Sequence, residues 1–274
     1  MRDADFEIVN TNEHYFRFPL DAFVEKQKEL GESRIVFWAS VPHLWADQYG
    51  VEPHEEIFTK FSEAGIIIEA MAARPYNYTL FMGSNSLVGI HSMAYYQGLI
   101  DLAAEQAVSL VAIELWGALR DKDRGEQYRN CCRALKELCT YAGQKGISLA
   151  VGNVSYSHSA MMNTLPEIKG LLDEVNCENL LAVMDYGTAW QRRETVEKWI
   201  ETLGHKLCLI YLSNARSSGG GYPLGQGCCA IKRDLNKLRK AGFSGVIALR
   251  MSQDFCQQDP ASVDEENWDY LKDK

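Results

Sequence analysis

The chain has 274 residues, 46% of them apolar and 24% charged, and its 37 acidic and 28 basic side chains leave a net charge of −9. That length suits one α/β barrel of about 250 residues, and the acidic balance argues against a nucleic-acid partner, which needs a basic face. Apolar runs of five to eight residues fall well short of the ~20 needed to cross a bilayer, and Met1-Arg-Asp-Ala-Asp-Phe lacks the apolar core of a secretion signal, so a cytoplasmic protein without a membrane partner is expected.

In chain order, Phe6-Glu-Ile-Val-Asn predicts a first strand, followed by a helix over Leu20 to Leu30 and a stop at Gly31. Arg34-Ile-Val-Phe-Trp-Ala predicts a second strand. A loop with Pro42, His43 and Trp45 then leads to a helix carrying Pro53 in its first turn, where a missing N–H is harmless. Gly65 closes that helix and Ile66-Ile-Ile-Glu-Ala begins the third strand. The cycle repeats at Leu110 to Leu115, Ile147 to Val151, Leu180 to Met184, Leu207 to Leu212 and Val246 to Leu249. Between these runs lie helical stretches ended by Gly143, Gly146, Gly204 and Gly242, and the last helix is read as short and acidic. Strands this apolar are covered on both faces. Eight of them alternating with eight helices predict a closed (β/α)8 TIM barrel, one domain over residues 1–274.

The cysteines form no C-x-x-C motif, so the eight thiols read as small buried apolar groups. Arg192-Arg193 and Lys232-Arg233 read as solvated helix starts.

Active sites of such barrels lie at the C-terminal ends of the strands, which selects the polar residues worth weighing. The candidate ligand pocket comprises Trp38, His43, Glu69, Glu114, Trp116, His158, Asp185, Trp190, Arg216 and Arg250. Trp38, Trp116 and Trp190 offer flat apolar faces to a sugar, or else plug the barrel mouth. Glu69 and Glu114 are acids in apolar strands, read either as barrel-interior acids paired with Arg74 or another cation, or as a general base with a raised pKa. His43 and His158 read as loop histidines that could serve as ligand or base. Ser217-Ser-Gly-Gly-Gly-Tyr lacks the G-K-[ST] of a phosphate loop and reads as a flexible lid above Arg216.

With those residues placed, the chain resembles the xylose isomerase-like barrel family of sugar isomerases and epimerases. Ala73-Arg-Pro-Tyr-Asn with Ala103-Ala-Glu-Gln-Ala is similar to the third unit of fructoselysine and tagatose 3-epimerase-like members. Pro223-Leu-Gly-Gln-Gly followed by Lys240-Ala-Gly-Phe-Ser-Gly is similar to the family's P-G-x-G…G-Y-x-G pattern. The resemblance implies carbohydrate metabolism and a divalent ion held by Glu, Asp, His and Glu, the glutamates also moving the proton. Here those places read Gly152, Asp185, Tyr211 and Arg250. Glycine supplies no ligand, tyrosine stays protonated near neutral pH, and arginine repels a cation by about 4 kcal/mol at 4 Å in an effective dielectric near 20. The family's endonuclease branch, with its many zinc-binding histidines and carboxylates, fits less well still, because the six histidines here are dispersed.

The residues therefore predict a member with a degenerate metal site and no metal cofactor, binding a sugar-like or anionic ligand, with Arg250 paired to Asp185. In that pair Arg250 either offers donors to a ligand or only neutralises its partner. Two alternatives stay open: an active isomerase with a reworked site, holding Mn²⁺ or Mg²⁺ or using no metal, and a non-catalytic partner of an active paralogue. Homo-oligomerisation is left open, and the catalytic residues are unassigned.

Overall fold

A computed structural model describes residues 6–73, 77–83 and 85–272. Eight parallel strands close into a barrel: β1 (Glu7–Thr11), β2 (Arg34–Ala39), β3 (Ile67–Ala73), β4 (Leu110–Glu114), β5 (Ser148–Gly152), β6 (Leu180–Asp185), β7 (Leu207–Leu212) and β8 (Val246–Leu249). Each strand pairs with its sequence neighbours, and β8 returns to β1 through registers such as Asn10 opposite Leu249.

Around it run α1 (Leu20–Leu30), α2 (Glu55–Glu63), α3 (Leu87–Glu105), α4 (Arg124–Gly143), α5 (Leu165–Val175), α6 (Tyr186–Gln191), α7 (Val196–Leu203), α8 (Ile231–Lys240) and α9 (Pro260–Lys272). Three expectations are corrected among these described helices. The last is a full 13 residues, and β6 is followed by an additional six-residue helix. Pro53 lies outside α2, one residue before its N-cap His54, so it ends the preceding segment. Gly31 does end α1, in the left-handed conformation (φ 76°) that a Cβ makes costly.

The core has two layers. A large one fills the space between barrel and helices, from Phe23 and Phe37 through Leu99 and Leu135 to Trp199. A smaller one fills the barrel interior with Val9, Val36, Ala70, Ala72, Ala112, Ala150, Val183, Leu209 and Ala248, capped by Trp38 and Tyr211. Because side chains alternate along a strand, the residue two further on from five of these interior ones points into the mouth. That rule turns Ala112, Ala150, Val183, Leu209 and Ala248 into Glu114, Gly152, Asp185, Tyr211 and Arg250. The small alanines leave the mouth its depth. Cys131, Cys132, Cys139, Cys229 and Cys256 are buried as expected, but Cys228 is exposed and Cys177 and Cys208 are half-buried.

No described helix is long and apolar enough to cross a membrane.

Candidate functional site

The C-terminal mouth of the barrel opens into a cavity of about 620 Å³. Its walls include Trp38, Glu114, Trp116, His158, Asp185 and Arg250, so six of the ten candidate residues converge there. Glu13 joins them, from a single 3-10 turn (Glu13–Tyr15) directly after β1.

That turn is held from both sides. Asn12 behaves as a strand partner for Trp38, accepting its N–H at 2.7 Å and donating to its carbonyl at 3.1 Å. On the far side, His14 Nε2 lies 2.9 Å from Asp264 of α9 and the Tyr15 hydroxyl donates to the same carboxylate at 2.9 Å, all three being buried. Between these anchors Glu13 faces the mouth.

Arg250 occupies the centre of the site. Its Nε bonds Glu13, Nη2 donates to Glu13 Oε1 at 3.1 Å, and Nη1 bonds Glu114. Its guanidinium carbon sits 4.6 Å from the centroid of the Tyr211 ring, which forms a floor beneath it. The pairing expected between Arg250 and Asp185 is therefore corrected: the partners are Glu13 and Glu114. Asp185 is committed elsewhere, because its Oδ1 accepts the Thr188 N–H at 2.7 Å and caps α6. Its backbone is clasped by Asn153, whose amide accepts the Asp185 N–H at 2.7 Å and donates to its carbonyl at 3.1 Å.

The electrostatics follow from this arrangement. Burial works against the charged guanidinium, but Glu114 and Glu13 outweigh it and raise the Arg250 pKa. Burial pushes Glu114 above the usual carboxyl range, with Arg250 pulling it back down. Burial likewise raises the Tyr211 phenol well above its ordinary value, keeping it neutral. Desolvation, then the Arg250 charge, holds His158 below 6.5, so it is neutral at pH 7. Its imidazole stacks on Trp116 with centroids 3.8 Å apart and planes 12° off parallel, making a flat wall.

Four candidates lie away from the cavity wall. His43 is buried, with Nδ1 2.8 Å from the Asn12 amide and Nε2 2.9 Å from the Phe18 carbonyl, so it supports the loop behind the Glu13 turn. Glu69 pairs with Arg34, which opens β2, and so belongs to the opposite half of the barrel; Arg74 lies outside the described residues. Trp190 packs on the outer core. Arg216 donates to the Gln226 carbonyl at 2.9 and 2.6 Å and covers the Tyr222 ring.

Three wall features were missed by sequence reasoning. Glu13 was legible in principle, as an acid just past a strand end. Arg192 was read as a solvated face, yet it lines the cavity at the end of α6. The glycine-rich segment is an antiparallel hairpin (Asn214–Arg216 with Gly219–Tyr222) forming one wall. Gly187 and Gly220 let it seat on α6, since a Cβ at Gly187 would stand 3.4 Å from the Gly220 Cα.

The divalent ion that the resemblance implies does not fit these residues. A Cβ at Gly152 would stand 2.8 Å from the Val183 carbonyl oxygen, so that strand end has neither a ligand nor room for one. Tyr211 is a neutral phenol, Asp185 has one oxygen engaged, and a guanidinium fills the centre. Among the described residues no group of three or more His, Cys, Asp or Glu could hold a metal.

A family model described as a xylose isomerase-like TIM barrel matches residues 24–274. No curated protein matches the chain in sequence. In fold it is similar to the apo form of 3-keto-D-glucoside 4-epimerase from E. coli (TM-score 0.80, 13% identity, 98% of this chain and 99% of that one). It is also similar to D-psicose 3-epimerase from Clostridium cellulolyticum H10, solved with D-tagatose (0.78, 16%, 97% of each chain). A third is D-allulose 3-epimerase from Methylomonas sp. (0.80, 15%, 97% of each chain). At such identities the likeness concerns the fold alone.

Proposed function

The chain belongs to the xylose isomerase-like TIM barrel family, and within it we propose a member that binds a sugar-like ligand without the family metal. The observation that carries this reading is Arg250, clasped by Glu13 and Glu114 in the middle of an open cavity. A fixed guanidinium supplies positive charge where the family would use an ion, and it needs no loading. With two carboxylates already on it, Arg250 is a poor anion receptor, so the deep site suits hydroxyl groups better than a phosphate. Trp38 and the Trp116–His158 wall offer apolar faces to sugar C–H surfaces. Asp185 and Asn153 add polar groups around them.

Calorimetric titration with neutral ketohexoses, in EDTA and in Mn²⁺, tests this. Equal binding in both is expected, with no metal-dependent epimerisation. A stoichiometric divalent ion in the purified protein, or turnover that appears only with Mn²⁺, would sink the proposal.

One observation favours a second reading, a metal-independent isomerase. Burial pushes Glu114 up and desolvation holds His158 down, so two groups biased toward their neutral forms face the same cavity. Exchange of ketose carbon-bound hydrogen in D2O, lost in Glu114→Gln, would favour it; no exchange over days would exclude it for the sugars tried.

A further inference from the structure

We propose that the rim of this cavity is a separate subsite for an anionic group, phosphate or carboxylate, carried at the far end of the sugar-like ligand. Arg192, Arg120 and the face of Tyr156 would form it. The inference rests on the sugar-binding reading above and extends it outward from the barrel.

Tyr156 lies on the loop after β5, half exposed at 51%, and lines the cavity together with Arg192. Its ring is flanked by two guanidinium groups. The Arg120 carbon stands 4.3 Å from the ring centroid and the Arg192 carbon 5.7 Å from it. Arg120 is also tied down by donation from Nη2 to the Tyr156 carbonyl at 2.8 Å. Among the described residues neither arginine forms an ion pair with a carboxylate, whereas Arg34, Arg124, Arg233 and Arg250 all do. Glu194, two residues beyond Arg192, feels its charge but is held elsewhere, accepting from the Leu165 N–H at 2.8 Å and from Trp199 Nε1 at 3.0 Å.

A chain with 37 acids and 28 bases thus keeps two arginines, among the described residues, outside any ion pair and against the Tyr156 ring, and one of them, Arg192, lines the cavity. Contact with an aromatic face restrains a guanidinium while leaving its edge donors for an oxyanion, which lowers the ordering cost of binding. The deep site is polarised the other way. The Arg250 charge is offset by Glu13 and Glu114, and Asp185 adds another carboxylate to the wall. A ligand with its hydroxylated end inside and its anion at the rim matches both halves.

The test is calorimetric, on the intact chain, with D-fructose, D-fructose 6-phosphate and D-fructuronate as probes and glycerol 3-phosphate as an anion without the ring. The expected result is about tenfold tighter binding of one or both anionic sugars than of D-fructose, comparable to a charge-assisted hydrogen bond at an exposed site. That ratio should fall to within about twofold in Arg192→Gln with Arg120→Gln, both being surface positions, and should shrink with added salt. The phosphate and the carboxylate sugar identify which oxyanion the rim prefers. Equal affinity for all three sugars, or a ratio untouched by the double substitution, overturns the rim subsite while leaving the sugar reading intact. Arginine-dependent binding of glycerol 3-phosphate with no binding of any sugar keeps the rim and removes the sugar reading. No binding of any probe removes both.

Discussion

Replacing Arg250 with methionine removes the cation but keeps most of its packing over Tyr211. Each guanidinium–carboxylate pair is worth roughly 4 kcal/mol of Coulomb attraction at 4 Å and an effective dielectric near 20, offset in part by the cost of burying Arg250. Removing one partner of a buried pair costs about 3–5 kcal/mol, because the others remain uncompensated. The Glu13 and Glu114 side chains are 25% and 16% exposed to the cavity, so water relieves little of it. At roughly 2–4 °C per kcal/mol for a chain of this size, Tm should drop by about 6–20 °C at pH 8.

The deficit must also depend on pH. Glu114 already has a pKa raised above 4.5 by burial, and losing Arg250 raises it further. A carboxyl whose folded pKa is raised has its stability contribution intact below the unfolded value and loses it as pH rises through the folded one. The variant should therefore be closest to wild type near pH 5 and furthest from it at pH 8, with Glu114→Gln recovering part of the loss. Urea denaturation at pH 5, 6.5 and 8 measures this. A deficit under about 1 kcal/mol at pH 8, or one that does not change across the range, would refute the role assigned to Arg250.

Two further outcomes follow from the geometry. Gly152→Ala should destabilise the fold by about 1–3 kcal/mol, since its Cβ meets the Val183 carbonyl at 2.8 Å; for the same reason Gly152→Glu combined with Arg250→Glu should bind no stoichiometric Mn²⁺, as calorimetry would reveal. His43 and His158 are both held below 6.5, led in each case by desolvation, so their imidazole NMR signals should titrate below that value. The buried His43 contributes stability that is complete above pH 6.5 and lost as pH falls through its folded pKa; a flat stability profile from pH 7 to pH 5 in wild type matched against His43→Gln would contradict this.

The strand ends were legible because their signal is local. Each apolar run stops where the barrel surfaces, and counting two residues past interior Ala112, Val183 and Ala248 finds Glu114, Asp185 and Arg250 without coordinates. The same count past Val36 finds Trp38. Glu13 was overlooked because its segment, Thr11-Asn-Glu-His-Tyr, has turn composition and no apolar run marks it. His43 and Glu69 were misplaced for a different reason. A loop residue can turn toward the mouth or toward its supports, and a strand acid can belong to either half of the barrel. Neither choice leaves a trace in spacing.

What the amino-acid order determined alone is the alternation of strands and helices, the closed barrel, and the glycine, tyrosine and arginine at three of its strand ends. These depend on residue type and periodicity, which are properties of the chain. Only the tertiary structure decided which carboxylates meet Arg250. Asp185, its complementary partner on paper, is taken by the N-terminus of α6, while Glu13 and Glu114 arrive from the turn after β1 and from β4. Ion pairing is set by distances of a few ångströms between residues more than a hundred positions apart, and only barrel closure fixes those distances.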